Sequence, residues 1–437
     1  MRFDPTAAGG HGNPTGYDAN WYTATADLPP PRPVLSGERQ CEIAIVGAGL
    51  AGLSAALHLA RLGHEVVVLE AVRTGWAASG RSGGQLLFGY ACDIGRLEKL
   101  CGAEAARCYF EWSIEALDLA RALIADEHIV CDVGDGALHV AIKPRQVAEL
   151  RAQHRHLQQR YGVDLEWLAG DELRAALDSP RYLAGLLDRR SLHLHPLQYT
   201  LGVARAAANA GAGLYEQSRV ERWRRDGERI VLETAAGCLR AERVVFCGNT
   251  GLDRLVPKIR RYIMPVGTYI GATEALDPAL AASLIPSRTA VSDTQFVLDY
   301  FRLARGRHLL FGGRVSYSTL QPPLLTAQLR RRMTAVFPQL AGTEIISTWG
   351  GYVDITMNRA PHFGHLADNI HYLQGFSGHG MALAGLAGKL IAEKIDGRSD
   401  RFDWYCRIPH HPFPGGRWLR TPALVMAMAW YRLRDRL

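Results

Sequence analysis

The stretch CEIAIVGAGLAGLSAALHLARLGHEVVVLE, residues 41–70, decides the fold. Its apolar run at residues 41–46 predicts a strand, the Gly-rich turn at residues 47–52 follows, residues 50–62 predict a helix, and residues 65–69 predict a second strand. Strands that are apolar along their whole length are typical of a parallel sheet buried on both faces. We therefore predict a Rossmann-like domain that begins at about residue 39.

The turn of this unit has the GxGxxG spacing of a dinucleotide-binding site. Its glycines permit a tight turn, close approach to a pyrophosphate and close packing of helix on strand, and the helix N-terminus attracts the anion. Glu70 ends the second strand, where a carboxylate can accept hydrogen bonds from ribose hydroxyls and disfavours a 2′-phosphate. A turn that served packing alone would leave Glu70 unexplained. The predicted contacts are Gly47, Ala48, Gly49, Leu50, Ala51, Gly52 and Glu70.

Two further Gly-rich segments lie far apart in the chain. ASGRSGGQ at residues 78–85 follows the βαβ unit, and GFSGHGM at residues 375–381 precedes a predicted helix at residues 381–395. By composition alone the first is also typical of a surface loop. One Gly-rich turn near each end of the chain indicates one long ligand, and FAD fits this better than a nicotinamide cofactor.

These motifs, together with Trp349-Gly350-Gly351 and residues 358–361 (NRAP), occur in the order and spacing of a known family. From about residue 18 to the C-terminus the chain resembles the D-amino acid oxidase and glycine oxidase superfamily, and within it the gamma-glutamylputrescine oxidoreductase-like proteins. The resemblance extends the FAD contacts to Ala78, Ser79, Arg81, Ser82, Gly83, Gly84, Gln85, Val220, Gly248, Gly375, Gly378, His379, Gly380 and Met381.

The resemblance implies a mixed α/β and α+β protein of two discontinuous domains. Residues 39–100, 190–261 and 345–400 are expected to form the FAD-binding domain. Residues 101–189 and 262–344 are expected to form a substrate domain on a large mixed or antiparallel sheet that covers one face of the flavin. Residues 1–38 are predicted to be an N-terminal arm held by Trp21 and Tyr22, and residues 401–437 a C-terminal tail whose last helix docks onto the body.

The resemblance also implies oxidation of an amine or amino acid, by hydride transfer from the carbon that bears nitrogen to flavin N5. The imine formed is then hydrolysed. A primary amine of the gamma-glutamylputrescine type is the expected substrate, and a secondary or cyclic amino acid such as pipecolate or sarcosine is the alternative. Noncovalent FAD is expected, because neither the Cys nor the His that carries covalent flavin in the family is present. Oxygen or another compound accepts the electrons.

Five side chains are candidates for substrate binding or catalysis. His379 belongs to the turn that the family places beside the flavin, although a structural imidazole bound to backbone is an equal alternative. Arg314 could bind a carboxylate, or form an internal ion pair instead. Tyr300, Tyr317 and Tyr352 could line an amine pocket with aromatic faces, or pack as ordinary sheet residues.

Composition excludes several other classes of function. The net charge of +7 over 437 residues is small and scattered, so nucleic acid binding is not expected. Eight Cys without a CxxC pair predict reduced thiols in a cytoplasmic protein, and no apolar run predicts membrane contact. His193 and His195 have no third ligand nearby in sequence, so no metal site is predicted. A dinucleotide-binding module without catalytic activity is the rival from another class.

Overall fold

The computed structural model describes residues 16–252, 254–295, 297–316 and 324–414, apart from the side chains of residues 314–316. Its strands are β1 Gly37–Val46, β2 Val66–Leu69, β3 Gln85–Leu86, β4 Gly134–Ala141, β5 Glu166–Ala169, β6 Ala184–His193, β7 Gly213–Tyr215, β8 Arg222–Asp226, β9 Arg229–Glu233, β10 Gly237–Phe246, β11 Ile263–Thr273, β12 Ala290–Asp293, β13 Tyr300–Ala304, β14 His308–Ser316, β15 Ile345–Thr356, β16 His362–Ala367 and β17 Ile370–Gln374. Its α-helices are α1 Trp21–Thr25, α2 Leu50–Arg61, α3 Ala78–Arg81, α4 Ile94–Cys101, α5 Ala103–Asp126, α6 Pro144–Tyr161, α7 Gly170–Ala176, α8 Pro196–Asn209, α9 Pro257–Arg260, α10 Pro278–Leu284, α11 Leu325–Val336, α12 Gly380–Ile395 and α13 Arg401–Cys406.

The first sheet has the strand order β16-β17-β10-β1-β2-β7, and in addition β9 pairs with β10 and β8 pairs with β9. β1 pairs in parallel with β2 and β10, and β17 pairs in parallel with β10. Helices α2, α8 and α12 pack together, and Ser54 Oγ of α2 donates a hydrogen bond to the Gly385 carbonyl of α12 at 2.6 Å. This parallel core confirms the predicted βαβ unit and Rossmann-like fold.

The second sheet has the order β15-β11-β14-β13-β12-β4-β6-β3, with β5 beside β6. Its pairs are antiparallel except for β12 with β4, which is parallel. The large mixed sheet predicted for the second domain is therefore present. Helices α10 and α11 contribute to an apolar cluster with residues of β4, β6, β12, β13 and β14.

The sheets divide the chain differently from the predicted boundaries. β15 falls in the predicted FAD-binding segment 345–400, but it pairs with β11 along nearly its whole length and so belongs to the second sheet. β3 also joins that sheet, through β6. α5 lies in the predicted substrate segment, yet packs on α12. Sequence patterns identify strands and helices but not their partners, which explains these differences.

Two local expectations also have an outcome. The segment at residues 78–85 is only partly a loop, because residues 78–81 form α3 and β3 begins at Gln85, which leaves residues 82–84 irregular. Trp21 and Tyr22 are buried, as expected of an arm held to the body. The predicted tail helix beyond residue 414 lies outside the described residues.

Candidate active site

The first Gly-rich turn joins β1 to α2 and requires glycine at both its ends. Gly47 has φ of +108°, and a Cβ there would lie 3.0 Å from the backbone of Cys247 and Gly248. A Cβ on Gly52 would lie 2.0 Å from the Gly47 carbonyl oxygen. The carboxyl ends of β1 and β10 therefore meet at a bare backbone surface in front of the N-terminus of α2, which suits a pyrophosphate.

Glu70 lies beside this turn at the end of β2. Its Oε2 accepts the Ala48 N–H at 2.8 Å and its Oε1 accepts the Val72 N–H at 3.0 Å. Burial raises the pKa of the Glu70 carboxyl, and the two N–H donors oppose that rise. Since each carboxylate oxygen has more than one lone pair, the carboxylate can still accept a ribose hydroxyl.

A cavity of about 840 Å³ lies between the other two Gly-rich segments and the second sheet. Many of the residues predicted from sequence line it: Ala78, Arg81, Ser82, Gly83, Gly84, Gln85, Gly378, His379, Met381, Tyr300 and Tyr352. Two segments almost 300 residues apart in sequence thus meet at one wall. Ser82 Oγ lies 3.0 Å from Met381 Sδ, which connects them directly.

Other predicted contacts lie away from this cavity. Ser79 accepts the Leu50 N–H at 3.0 Å, so its hydroxyl caps α2 at the first turn. Gly248 adjoins Gly47, whereas Val220 is buried in an apolar cluster beneath the first sheet. The cavity wall likewise does not include residues 47–52, Glu70, Gly375 or Gly380. The predicted cofactor residues therefore form two groups, one at the first turn and one at the cavity.

Arg81 is held by the protein itself. Its Nε donates to the Trp76 carbonyl at 2.7 Å, its Nη1 donates to the Gly350 carbonyl at 3.2 Å, and its Nη2 pairs with Asp18 of the N-terminal arm. The guanidinium also stacks on the Trp76 ring. Arg81 thus fastens α3 to β15 and to the arm, and its charge is already paired.

A second buried guanidinium supports the segment that follows. Arg302 is 1% exposed, and it donates to the Gly83 carbonyl at 2.9 Å and to the Leu194 carbonyl at 2.7 Å. The Leu194 N–H donates in turn to the Gly84 carbonyl at 2.8 Å. Arg302 could not be predicted from the sequence, because a lone Arg in a strand carries no signal of burial.

His379 caps the start of α12 at the cavity wall. Its Nε2 lies 3.1 Å from the Phe88 carbonyl oxygen and is placed to donate to it, which is the backbone-bound imidazole that sequence analysis kept as the alternative. Burial lowers the pKa of His379, so the ring is neutral at pH 7. With Nε2–H donating to Phe88, the other ring nitrogen, Nδ1, carries a lone pair and can accept a hydrogen bond while the ring stays uncharged.

Tyr300 and Tyr352 present aromatic rings to the cavity from the second sheet. The Tyr300 ring lies against two glycines, since a Cβ would come within 2.1 Å of it at Gly312 and 2.8 Å at Gly83. Burial raises the pKa of both phenols, so both are protonated at pH 7. Of the other candidates, Tyr317 lies outside the described residues, as does the side chain of Arg314.

The second sheet also supplies cavity residues that sequence analysis missed. Met264, Val266 and Thr268 alternate along β11, and that period of two was a detectable signal of a shared face. Asp188, Asp293 and Ser292 come from β6 and β12, and their convergence depends on the strand order. Among the described residues no group of three His, Cys, Asp or Glu could hold a metal ion.

The Gly-rich turn at residues 47–52 and the cavity fit a flavin dinucleotide. The first turn suits the pyrophosphate, Glu70 suits the adenosine ribose, and the cavity wall has room for a planar ring beside a substrate. No helix within the described ranges is long and apolar enough to cross a bilayer.

Comparisons with known proteins agree with this geometry. Residues 42–394 match the family model described as FAD dependent oxidoreductase. The chain is 40% identical over 424 residues to gamma-glutamylputrescine oxidoreductase of Escherichia coli (strain K12), which covers 97% of this chain and 99% of that protein. It is 23% identical over 385 residues to glycine oxidase of Geobacillus kaustophilus (strain HTA426), covering 83% and 94%.

Solved structures share the fold at lower identity. Glycine oxidase from Geobacillus kaustophilus superposes with a TM-score of 0.72 at 22% identity, over 85% of this chain and 99% of that one. L-proline dehydrogenase from P. horikoshii gives a TM-score of 0.72 at 20% identity, over 85% and 98%. At such identities the likeness concerns the fold.

Proposed function

The chain belongs to the family of FAD-dependent oxidoreductases that act on amines and amino acids, and we propose that it oxidises a primary amine of the gamma-glutamylputrescine type. The observation that carries this proposal is the 40% identity over nearly the full length of both chains. FAD, when bound, supplies the acceptor for the hydride that leaves the carbon bearing nitrogen. The resulting imine reacts with water to give an aldehyde and ammonia. We also propose that the site residues predicted from the sequence bind FAD and substrate, that FAD is bound noncovalently and that the protein is cytoplasmic.

The composition of the cavity wall supports an amine with a second polar end. Tyr300 and Tyr352 offer aromatic faces to an amine and its methylene chain. Elsewhere the wall includes the carboxylates of Asp188 and Asp293. A gamma-glutamyl group carries both an ammonium and a carboxylate, so a wall with ionisable groups suits it better than an aliphatic wall would.

His379 places an uncharged imidazole ring at the end of the cavity where the amine is oxidised. Its Nε2 contact with Phe88 fixes the ring, and its lowered pKa keeps it uncharged. A neutral ring there does not repel the amine, which must lose its proton before hydride can leave. The protein's part is thus to bind the amine, orient the C–H bond and exclude water.

Anaerobic reduction of the flavin tests the proposal. The purified holoenzyme is mixed without oxygen with gamma-glutamylputrescine, putrescine, sarcosine or pipecolate, and the visible flavin band is followed. We expect rapid bleaching by gamma-glutamylputrescine and much slower bleaching by the others. Faster bleaching by sarcosine or pipecolate would favour the secondary amino acid alternative. If none of the four compounds bleached the flavin, the rival hypothesis of a dinucleotide-binding module without catalytic activity would be favoured.

Admitting air to the reduced enzyme then identifies the electron acceptor. Rapid return of the flavin band indicates an oxidase, and a slow return indicates a dehydrogenase with another acceptor.

Tyr352→Ala should raise the KM for the amine, whereas Tyr262→Ala is the matched control, because Tyr262 does not line the cavity.

A further inference from the structure

Asp354 connects the substrate sheet to the turn at residues 375–380. It lies near the end of β15, two residues after Tyr352, and its side chain is 2% exposed. Because residues i and i+2 of a strand point to the same face, Asp354 and the cavity residue Tyr352 project from one side of β15. Asp354 itself does not line the cavity.

The carboxylate of Asp354 binds the backbone of this turn. Its Oδ2 accepts the N–H of Gly375 and, at 3.3 Å, the N–H of Phe376. The Ser377 N–H donates to the Asp354 carbonyl at 3.1 Å, so side chain and backbone of one residue hold three consecutive amides. The next residues, Gly378 and His379, face the cavity.

The turn cannot easily adopt another shape to compensate. Gly375 has φ of +80°, and a Cβ there would lie 2.7 Å from Thr356 and 2.8 Å from His362. Ser377 also has positive φ, at 54°, which is a strained value for a residue with a side chain. Such strain persists only where the surrounding structure holds the backbone, and Asp354 provides three of the bonds that hold it.

Asp354 also lies near the first cofactor group. The Asn249 side chain is close enough to Asp354 to lower the pKa of its carboxyl, and Asn249 directly follows Gly248, which lies against Gly47. Among the described residues no Lys or Arg forms an ion pair with Asp354, so its charge is balanced by neutral donors. Burial raises the pKa of Asp354 to about 6 and these donors oppose the rise, so the carboxylate is ionised at neutral pH.

We propose that Asp354 is a positioning residue that sets the 375–380 turn against FAD and couples that turn to the strand carrying Tyr352. It acts through Gly375, Phe376 and Ser377 and touches neither substrate nor cofactor. The inference depends on FAD binding and is independent of which amine is oxidised. A negative result for the substrate would therefore leave it unaffected.

Asp354→Asn tests this proposal, because the carboxamide keeps the shape but removes the negative charge from the group whose single oxygen, Oδ2, accepts the N–H of both Gly375 and Phe376. We measure the dissociation constant of FAD at neutral pH and the visible circular dichroism of the bound flavin. We expect the dissociation constant to rise at least about tenfold and the dichroism to change, since charge-assisted bonds that hold the turn are lost. Glu115→Gln is the control, because it weakens the ion pairs that Glu115 of α5 forms with Lys389 in the middle of α12 and with Arg401 at the start of α13, and none of these residues belongs to the turn at residues 375–380.

A dissociation constant within about twofold of wild type, with unchanged dichroism, would overturn the proposal. Equal effects of Asp354→Asn and Glu115→Gln would also overturn it, since the loss would then reflect stability alone. If Asp354→Asn does not fold, Ser377→Ala loosens the same turn by removing a hydroxyl that accepts the Thr356 N–H at 3.2 Å. The same spectral change is expected there, and its absence would contradict the proposal.

Discussion

Gly52→Ala should both destabilise the protein and weaken FAD binding. The added Cβ would lie 2.0 Å from the Gly47 carbonyl oxygen and 3.1 Å from Ile45 Cγ2. The first contact is with backbone, so no rotamer relieves it, and the turn or the helix must move by about 1 Å to restore an ordinary separation.

The magnitude follows from two opposing effects. Overpacking of this kind costs about 3 kcal/mol, and alanine regains up to about 1 kcal/mol of helix propensity over glycine. The free energy of unfolding should therefore fall by about 2 kcal/mol. Because the displaced carbonyl belongs to the pyrophosphate turn, the dissociation constant of FAD should rise about tenfold or more.

Gly385→Ala is a matched control. Gly385 is also a buried helical glycine, but nothing lies within 4 Å of the position its Cβ would take. That variant should keep its FAD affinity and gain up to about 1 kcal/mol in stability. Urea unfolding of the apoproteins and titration with FAD measure both quantities. If Gly52→Ala behaved like Gly385→Ala, the close approach of α2 to the turn would be refuted.

Three further predictions concern the cofactor, the catalytic step and acid stability. Glu70→Gln should raise the dissociation constant of FAD about tenfold, measured by titration, because an amide cannot replace both acceptor oxygens; the exposed Glu228→Gln should have no effect. His379→Ala should lower the rate of flavin reduction in stopped flow more than it lowers flavin content, and equal losses would make the residue a cofactor clamp. The free energy of unfolding should fall as the pH drops from about 6.5 towards 4, because imidazoles that stay neutral when folded become protonated on unfolding. Burial lowers the pKa of each of these to about 4: His58, His193, His195, His371 and His410. The raised pKa values of four buried carboxyl groups, Glu70, Asp293, Asp299 and Asp354, act in the opposite direction, but they are fewer than the imidazoles. A stability that rose on acidification in urea titrations would therefore contradict the reasoning.

Some of the site was predictable from sequence because its signals are local. Gly47, Gly52 and Glu70 lie within one βαβ unit, and steric limits on the turn require their types and spacing. The predicted helices at residues 50–62 and 381–395 correspond to α2 and α12. A short Gly-rich segment is less decisive: within residues 78–85, α3 ends at Arg81 and β3 begins at Gln85, where it pairs with the distant strand β6.

Other features depend on partners far away in the chain. β15 has the pattern of any strand, and only its pairing with β11 places Tyr352 at the cavity and Asp354 at the turn. Arg302 and Arg81 are polar residues of a type usually exposed, and their roles depend on carbonyls of Gly83, Leu194 and Gly350. None of these partners has a signal in the local sequence.

By itself the sequence determined the Rossmann-like unit and the family to which the chain belongs, and it predicted the two ends of a long cofactor site. Those conclusions depend on backbone geometry over short stretches, where glycine, a carboxylate and apolar periodicity leave few alternatives. Only the tertiary structure decided which strands form each sheet, which side chains share the cavity, and that Asp354 holds the second turn. Burial and hydrogen bonding between distant segments decide these, because a buried charge is stable only where folding brings its donors to it.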